Sequence, residues 1–227
     1  MKKFVVLSGA GISKESGIPT FRDSDGLWNK YRFEEIASPE AWKANPQLVL
    51  DFYNFRRKVV LDSKPNKAHL TLKELEKNFN VKIITQNVDD LHERAGSTDV
   101  LHLHGEIRKA RSTKDKNIIV DIQGSELNLG DLCPLGSQLR PHIVWFGEAV
   151  PNISHAIDIV KTADIFLVIG TGLTVYPAAG LINYLPKKSQ NFIIDPSDDF
   201  YGINNFKHIQ ESAVNGIDEF VQAIKTF

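Results

Sequence analysis

The stretch Phe4-Val5-Val6-Leu7-Ser8-Gly9-Ala10-Gly11-Ile12-Ser13 joins a short, wholly apolar run to a glycine-rich turn. Such a run, without polar alternation, reads as a strand buried on both faces, as in a parallel sheet covered by helices. Val81 to Thr85, Ile165 to Ile169 and Phe192 to Ile194 read the same way, with helical patterns between them. This alternation predicts an α/β fold built on a doubly wound parallel sheet. Three of the runs pass at once into polar or glycine-rich residues: Ser8-Gly9-Ala10-Gly11, Gln86-Asn87-Val88-Asp89 and Gly170-Thr171-Gly172. Ligands in open α/β sheets sit beyond the carboxyl ends of the strands, so these loops predict one shared crevice. Residues 25–67 and 106–140, approximately, break the rhythm and read as a smaller inserted module over that crevice. The larger part is then about 1–24, 68–105 and 141–227, within a single globular unit.

Composition excludes several partner classes. The 227 residues carry 27 Lys and Arg against 28 Asp and Glu with no long like-charge run, so no nucleic-acid groove or anionic membrane surface is expected. Met1-Lys2-Lys3 resembles the basic start of a secretion signal, but the apolar run after it is too short and breaks at Ser8-Gly9. No stretch approaches the roughly 20 apolar residues that span a bilayer. Cys133 is the single cysteine and has no internal disulfide partner, so a reducing, cytoplasmic setting is expected.

The loops carry the chemistry. Gly9 and Gly11 allow a tight turn and close approach to a pyrophosphate, met by free amides at a helix start. A plain strand-to-helix turn is the alternative, because Lys14 stands where the usual dinucleotide fingerprint needs its third glycine. Gly17-Ile18-Pro19-Thr20 leads into Phe21 and Arg22, a ring and a guanidinium suited to covering a nucleotide. Asn87 and Asp89 read either as polar ligand groups or as a turn and helix cap. His104, before Gly105, reads as an acid-base group or as a satisfied structural histidine.

Taken in order, Gly9-Ala10-Gly11-Ile12-Ser13, Gly17-Ile18-Pro19-Thr20-Phe21-Arg22, Gln86-Asn87-Val88-Asp89, Leu91-His92, Ala95-Gly96, His104-Gly105 and Arg140-Pro141-His142-Ile143-Val144-Trp145-Phe146-Gly147-Glu148 resemble the successive signatures of the sirtuins, NAD-dependent protein-lysine deacylases. The resemblance spans almost the whole chain. It implies a Rossmann-like sheet, NAD consumed as co-substrate, and acylated lysine side chains of proteins as substrates. It implies cofactor contacts at Gly9, Ala10, Gly11, Ile12, Phe21, Arg22, Trp28, Gln86, Asn87, Val88, Asp89, Gly170, Thr171, Gly172 and Ala213. His104 becomes the base, and its ordinary pKa of about 6.5 suits that role; Asn87 and Asp89 become catalytic partners at the nicotinamide end. His102 reads as packing or support. Gly172 and Ile193 stand where the family carries a serine and an asparagine, and a lost hydrogen bond at Ile193 is expected to weaken NAD by about 1 kcal/mol. Ala213 reads equally well as core.

Substrate choice is assigned to the smaller module. Val144-Trp145-Phe146-Gly147-Glu148 resembles the extended segment to which the substrate peptide adds as a strand. Tyr53 and Arg56 fall on one helix face and match the pair that clasps succinyl, malonyl and glutaryl groups in one sirtuin subclass; Ala37 matches the small residue that widens its acyl pocket. Unaided, the pair would read as a solvated helix face. Sirtuins also carry four cysteines on a structural zinc, but Ser112 and Asp115 stand where the first pair is expected and Cys133 alone remains of the second. No metal is expected, and residues 117–131 are expected to hold together by apolar packing, Leu127, Leu129 and Leu132 included. The reading is an NAD-dependent deacylase preferring acidic acyl groups. NAD hydrolysis or protein ADP-ribosylation, and a non-catalytic nucleotide-binding module, are the alternatives.

Overall fold

The computed structural model describes residues 1–20, 32–198 and 205–225; Phe21, Arg22 and Trp28 lie outside them. The expected strands form as β1 (Lys3–Ser8), β2 (Asn80–Thr85), β7 (Ile165–Ile169) and β8 (Gln190–Ile194), joined by the short β3 (Val100–His102) and β9 (Phe206–Ile209). All six lie parallel in the order β3-β2-β1-β7-β8-β9. Alternate β1 side chains show why the run has no polar alternation. Phe4 and Val6 enter a core shared with helices α5 (Lys67–Leu75) and α8 (Ala213–Ile224). Val5 and Leu7 enter a second core with α7 (Ile153–Val160) and the 3-10 helix Ala178–Tyr184. Both faces are covered, so the sheet is doubly wound, as expected.

A three-stranded antiparallel sheet, in the order β5-β4-β6, forms from β4 (Gly105–Ser112), β5 (Ile119–Asp121) and β6 (Leu139–Ile143). Against it packs α4 (Pro46–Asp62), preceded by α2 (Phe33–Ile36) and α3 (Pro39–Ala44). Ser38 and Asn45 cap α3 and α4, each followed by a proline that suits a first helical turn. Arg57 is fully buried and joins α4 to the sheet module by donating to Ile107 O (2.7 Å) and Ser125 O (2.8 Å), while Asn54 Oδ1 on the same helix accepts from it (2.8 Å). Among the described residues no helix is long and apolar enough to cross a membrane.

Candidate active site

The strand order reverses between β1 and β7, so the loops that follow them meet there. Their contact is backbone on backbone. Gly9 N–H donates to Ile169 O (3.0 Å) and Gly11 N–H to Gly170 O (2.8 Å). A Cβ on Gly11 would lie 2.7 Å from Gly170 Cα, and one on Gly170 (φ +65°) would lie 2.3 Å from Ile12 N. The glycines are therefore required by the interlock of two loops. This corrects the expectation of free amides at the helix start of α1 (Gly11–Lys14). Ile12 N–H and Ser13 N–H are bonded to Gly9 O and Ala10 O, so the turn uses them itself. Gln86 Nε2 joins the third loop by donating to Thr171 Oγ1 (3.1 Å), beside the exposed Gly172.

The polar centre forms where the β1 and β2 loops touch. Asn87 Nδ2 donates to Gly9 O (3.1 Å) and Ser13 Oγ (3.2 Å), and its N–H to Thr85 Oγ1 (3.0 Å). Asp89, 5% exposed, accepts from Ser13 Oγ (3.1 Å) and from Leu91 N–H (3.2 Å) at the start of α6 (Leu91–Arg94). Burial raises the Asp89 pKa, against the pull of those two bonds. The turn-and-cap reading of the pair holds, with both side chains gathered at the sheet's carboxyl edge. Val88 packs beneath, against Leu91 and Ile107. His104 Nδ1 lies 3.0 Å from Gln86 O, which only accepts, so Nδ1 carries the proton and Nε2 is the basic nitrogen. Burial holds the His104 pKa below the ordinary value, partly offset by that bond, so the ring is neutral at pH 7.

Some members of this centre were missed in the sequence. Ser13, 1% exposed, links Asn87 to Asp89; it stood inside the quoted motif but was given no role. Behind the loops His92 Nε2 contacts Ser8 Oγ (2.9 Å), Ser8 donates to Thr85 Oγ1 (2.9 Å), and His69 meets His92 edge-on at 4.9 Å. Asn66 Nδ2 holds Ile12 O (2.7 Å). Nothing in the spacing of Asn66 and His69 signalled a neighbour so distant in the chain.

Ile193 corrects an expectation. It is fully buried in the core with Val5 and Leu7, so no ribose hydrogen bond is given up there. Asp195 is the first polar residue after β8, and its main chain is fixed by Ile209 O (3.3 Å) and His208 Nε2 (2.9 Å). Ala213 is buried in the core at the start of α8.

Tyr53 and Arg56 do not lie on a solvated face. They are 2% and 8% exposed, in or beside a core made with Ile18, Ala37, Ile143 and Trp145. Tyr53 Oη accepts from Trp145 Nε1 (3.1 Å), leaving its own proton for another acceptor, and burial pushes its pKa up to about 12. Burial also opposes the Arg56 charge, which Tyr53 and Asp89 favour. The segment Val144 to Glu148 is a turn rather than the expected extended strand. Gly147 has φ +88°, and Glu148 N–H returns to Trp145 O (3.0 Å). Val144 N–H and Phe146 N–H bond to His104 O (2.9 Å) and Ala37 O (3.0 Å). The Glu148 carboxylate accepts from Arg111, Arg140 and Trp145 N–H, all at 2.8–3.0 Å, and the Arg140 guanidinium stacks 3.2 Å from the Trp145 ring centroid. Glu148 thus builds the turn.

In the outer module Leu127 is buried with Ile122, Cys133 and Leu139, whereas Leu129 and Leu132 are 49% and 57% exposed, contrary to expectation. Hydrogen bonds complete the packing. Ser112 Oγ and Ser137 Oγ are 2.8 Å apart, with Cys133 Sγ 3.3 and 3.1 Å from them. Ser112 Oγ also accepts from Lys114 N–H and Asp115 N–H at 3.1 Å. One thiol between two hydroxyls does not fit a tetrathiolate zinc site.

Loops gathered at the reversal point of a parallel sheet, carrying an amide, a carboxylate and a neutral imidazole, place the chain among α/β proteins whose ligands sit beyond the carboxyl ends of the strands. The Sir2 family model matches residues 9–177, and the chain belongs to that family. It is 50% identical over 230 residues to an NAD-dependent protein deacylase of Bacteroides thetaiotaomicron, covering 99% of this chain and 98% of the relative. It is 54% identical to a protein of the same name from Helicobacter pylori, covering 97% and 96%. A Sir2 homologue solved as an NAD complex superposes with a TM-score of 0.89 at 40% identity, covering 99% of this chain and 90% of the other.

Proposed function

We infer that this chain is an NAD-dependent protein-lysine deacylase that prefers acyl groups ending in a carboxylate, namely succinyl, malonyl and glutaryl, and retains activity on acetyl-lysine. NAD-dependent deacylation is the activity named for relatives at 50% and 54% identity. The observation that supports the acyl preference is the burial of Tyr53 and Arg56 together, a hydroxyl that accepts from Trp145 Nε1 near a desolvated guanidinium. Such a pair is suited to a carboxylate and wasted on a methyl group.

NAD supplies the electrophilic ribose carbon, the nicotinamide leaving group and the final acceptor of the acyl group. The residues present fit it. Asn87 and Asp89 offer the amide and carboxylate that hold a carboxamide and a ribose, and Gln86 and Thr171 lie together at the crevice to meet hydroxyls. His104 Nε2 takes a proton from a ribose hydroxyl, while Gln86 O fixes the ring's tautomer. Ser13 keeps Asn87 and Asp89 in one geometry, so little is reorganised when the ligand arrives. Ala37 and Trp145 wall the acyl pocket, and Val144, Phe146 and Gly147 line the approach of the lysine-bearing peptide.

Mass spectrometry of succinyl-lysine and acetyl-lysine peptides, with and without NAD, tests the reading. NAD-dependent loss of succinyl faster than acetyl is expected. Acetyl loss alone would discard the pocket assignment, and NAD consumption without any deacylation would favour NAD hydrolysis or ADP-ribosyl transfer.

A further inference from the structure

His102 closes β3 with a side chain only 9% exposed and a partner at each ring nitrogen. Nδ1 lies 2.9 Å from Asn87 O and Nε2 lies 2.8 Å from Glu93 Oε1. A main-chain carbonyl and a carboxylate can only accept, so a ring that makes both bonds donates twice and is an imidazolium. We propose that His102 is a positioning residue that, as a cation, ties the carbonyl of Asn87 to helix α6 and holds the loop Gln86 to Asp89 in the geometry that receives the nicotinamide end of NAD. The inference rests on the roles given above to Asn87 and Asp89.

The surroundings favour the charge. Glu93 reaches the ring from α6 and Glu106 from β4, with the buried Asp89 carboxylate close by; burial opposes the cation, but Glu93, Asn87 O and Glu106 carry its pKa above the ordinary value. The positive groups nearby are occupied: Lys109 pairs with Glu106 (2.8 Å) and Arg108 with Asp90 (3.2 Å). His92, on α6, is neutral because burial depresses its pKa. With His102 in place, both peptide units flanking Asn87 are held, its N–H on Thr85 Oγ1 and its C=O on His102 Nδ1. A neutral ring can donate only once, so one of its two bonds lapses when the proton leaves.

The sign of the pH effect follows. The cation exists below the His102 pKa, which lies above about 6.5, so loop support fades as pH rises through it. His104 must be neutral and its pKa lies below about 6.5, so activity fades as pH falls through that value. The profile of kcat/KM for NAD is then a bell whose acid limb belongs to His104 and whose alkaline limb belongs to His102.

Nitrogen-15 NMR of the histidine rings, in the wild-type protein, reads the first claim directly. Both His102 nitrogens should show the protonated shift at pH 6, with a titration midpoint above that of an ordinary imidazole, and a ring neutral at pH 6 would overturn the proposal. Steady-state kinetics of His102→Gln read the second. KM for NAD should rise roughly tenfold, as for the loss of one charge-assisted hydrogen bond, kcat should move less, and the alkaline limb should vanish. Retention of that limb with unchanged KM would overturn it. Asn87→Ala separates the two levels. If it abolishes NAD binding while His102→Gln behaves as wild type, only the role of His102 fails; if it leaves NAD kinetics intact, the loop assignment fails as well.

Discussion

Replacing Arg56 with methionine isolates the acyl preference from the rest of the chemistry. Arg56 is 8% exposed and burial opposes its charge, so a substrate carboxylate bonded to it would be largely desolvated. Removing one partner of such a pair costs about 2–4 kcal/mol, which lowers kcat/KM for succinyl-lysine roughly 30- to 1,000-fold. Acetyl-lysine has no carboxylate to lose a partner. Its turnover still feels the change, because Arg56 is also a positive neighbour of Asp89, whose burial already raises its pKa. We expect an acetyl loss below about tenfold, the order of a single pKa unit. Methionine keeps the length of the side chain and removes a buried charge, so stability should change little. Parallel measurement of kcat/KM on matched succinyl and acetyl peptides, with Tm as control, decides the matter. Equal losses on both substrates would mean that Arg56 serves Asp89 and not the acyl group.

Three further outcomes are expected. Stability should fall as pH drops below about 6.5, because His69 has its pKa lowered to about 4 and His92 well below 6.5, both chiefly by burial, so that only the unfolded chain takes up these protons. His69 alone should cost about 2 kcal/mol between pH 6.5 and 5, visible in urea midpoints; a flat profile would refute the buried neutral pair. Arg57→Ala should lower Tm by roughly 10 °C, about 3–4 kcal/mol, since it strips the donor from Ile107 O, Ser125 O and Asn54 Oδ1, and a shift under about two degrees would show the clamp to be dispensable. Extended dialysis against a chelator should leave Tm unmoved, with no stoichiometric zinc found by elemental analysis; one zinc per chain would contradict the Ser112-Cys133-Ser137 packing.

Much of this fold is written in local pattern. β1, β2, β7 and β8 were legible because a strand buried on two faces has no choice but continuous apolar residues. β3 and β9 are three and four residues long and too short to carry a pattern. The site loops were legible as motifs, but the contacts that connect them were not: Ser13 to Asp89 spans 76 residues and Trp145 to Tyr53 spans 92. Ile193 was misread because both faces of β8 are core, Ile193 on one and Ile194 on the other, and the first polar residue at the strand's carboxyl end is Asp195. The turn at Gly147 and the exposure of Leu129 and Leu132 likewise depend on tertiary packing, which composition does not encode.

The chain of contacts from Glu148 through Arg140 and Trp145 to Tyr53 joins the turn at Gly147 to the buried pair Tyr53 and Arg56. Two kinds of recognition share one rigid lever. Under the proposed function, a peptide that seated poorly on the turn would shift the indole, and with it the Tyr53 hydroxyl bonded to it. Selectivity for the modification would then be a property of the modified protein as well as of the modification, and an isolated acyl-lysine would measure only part of it.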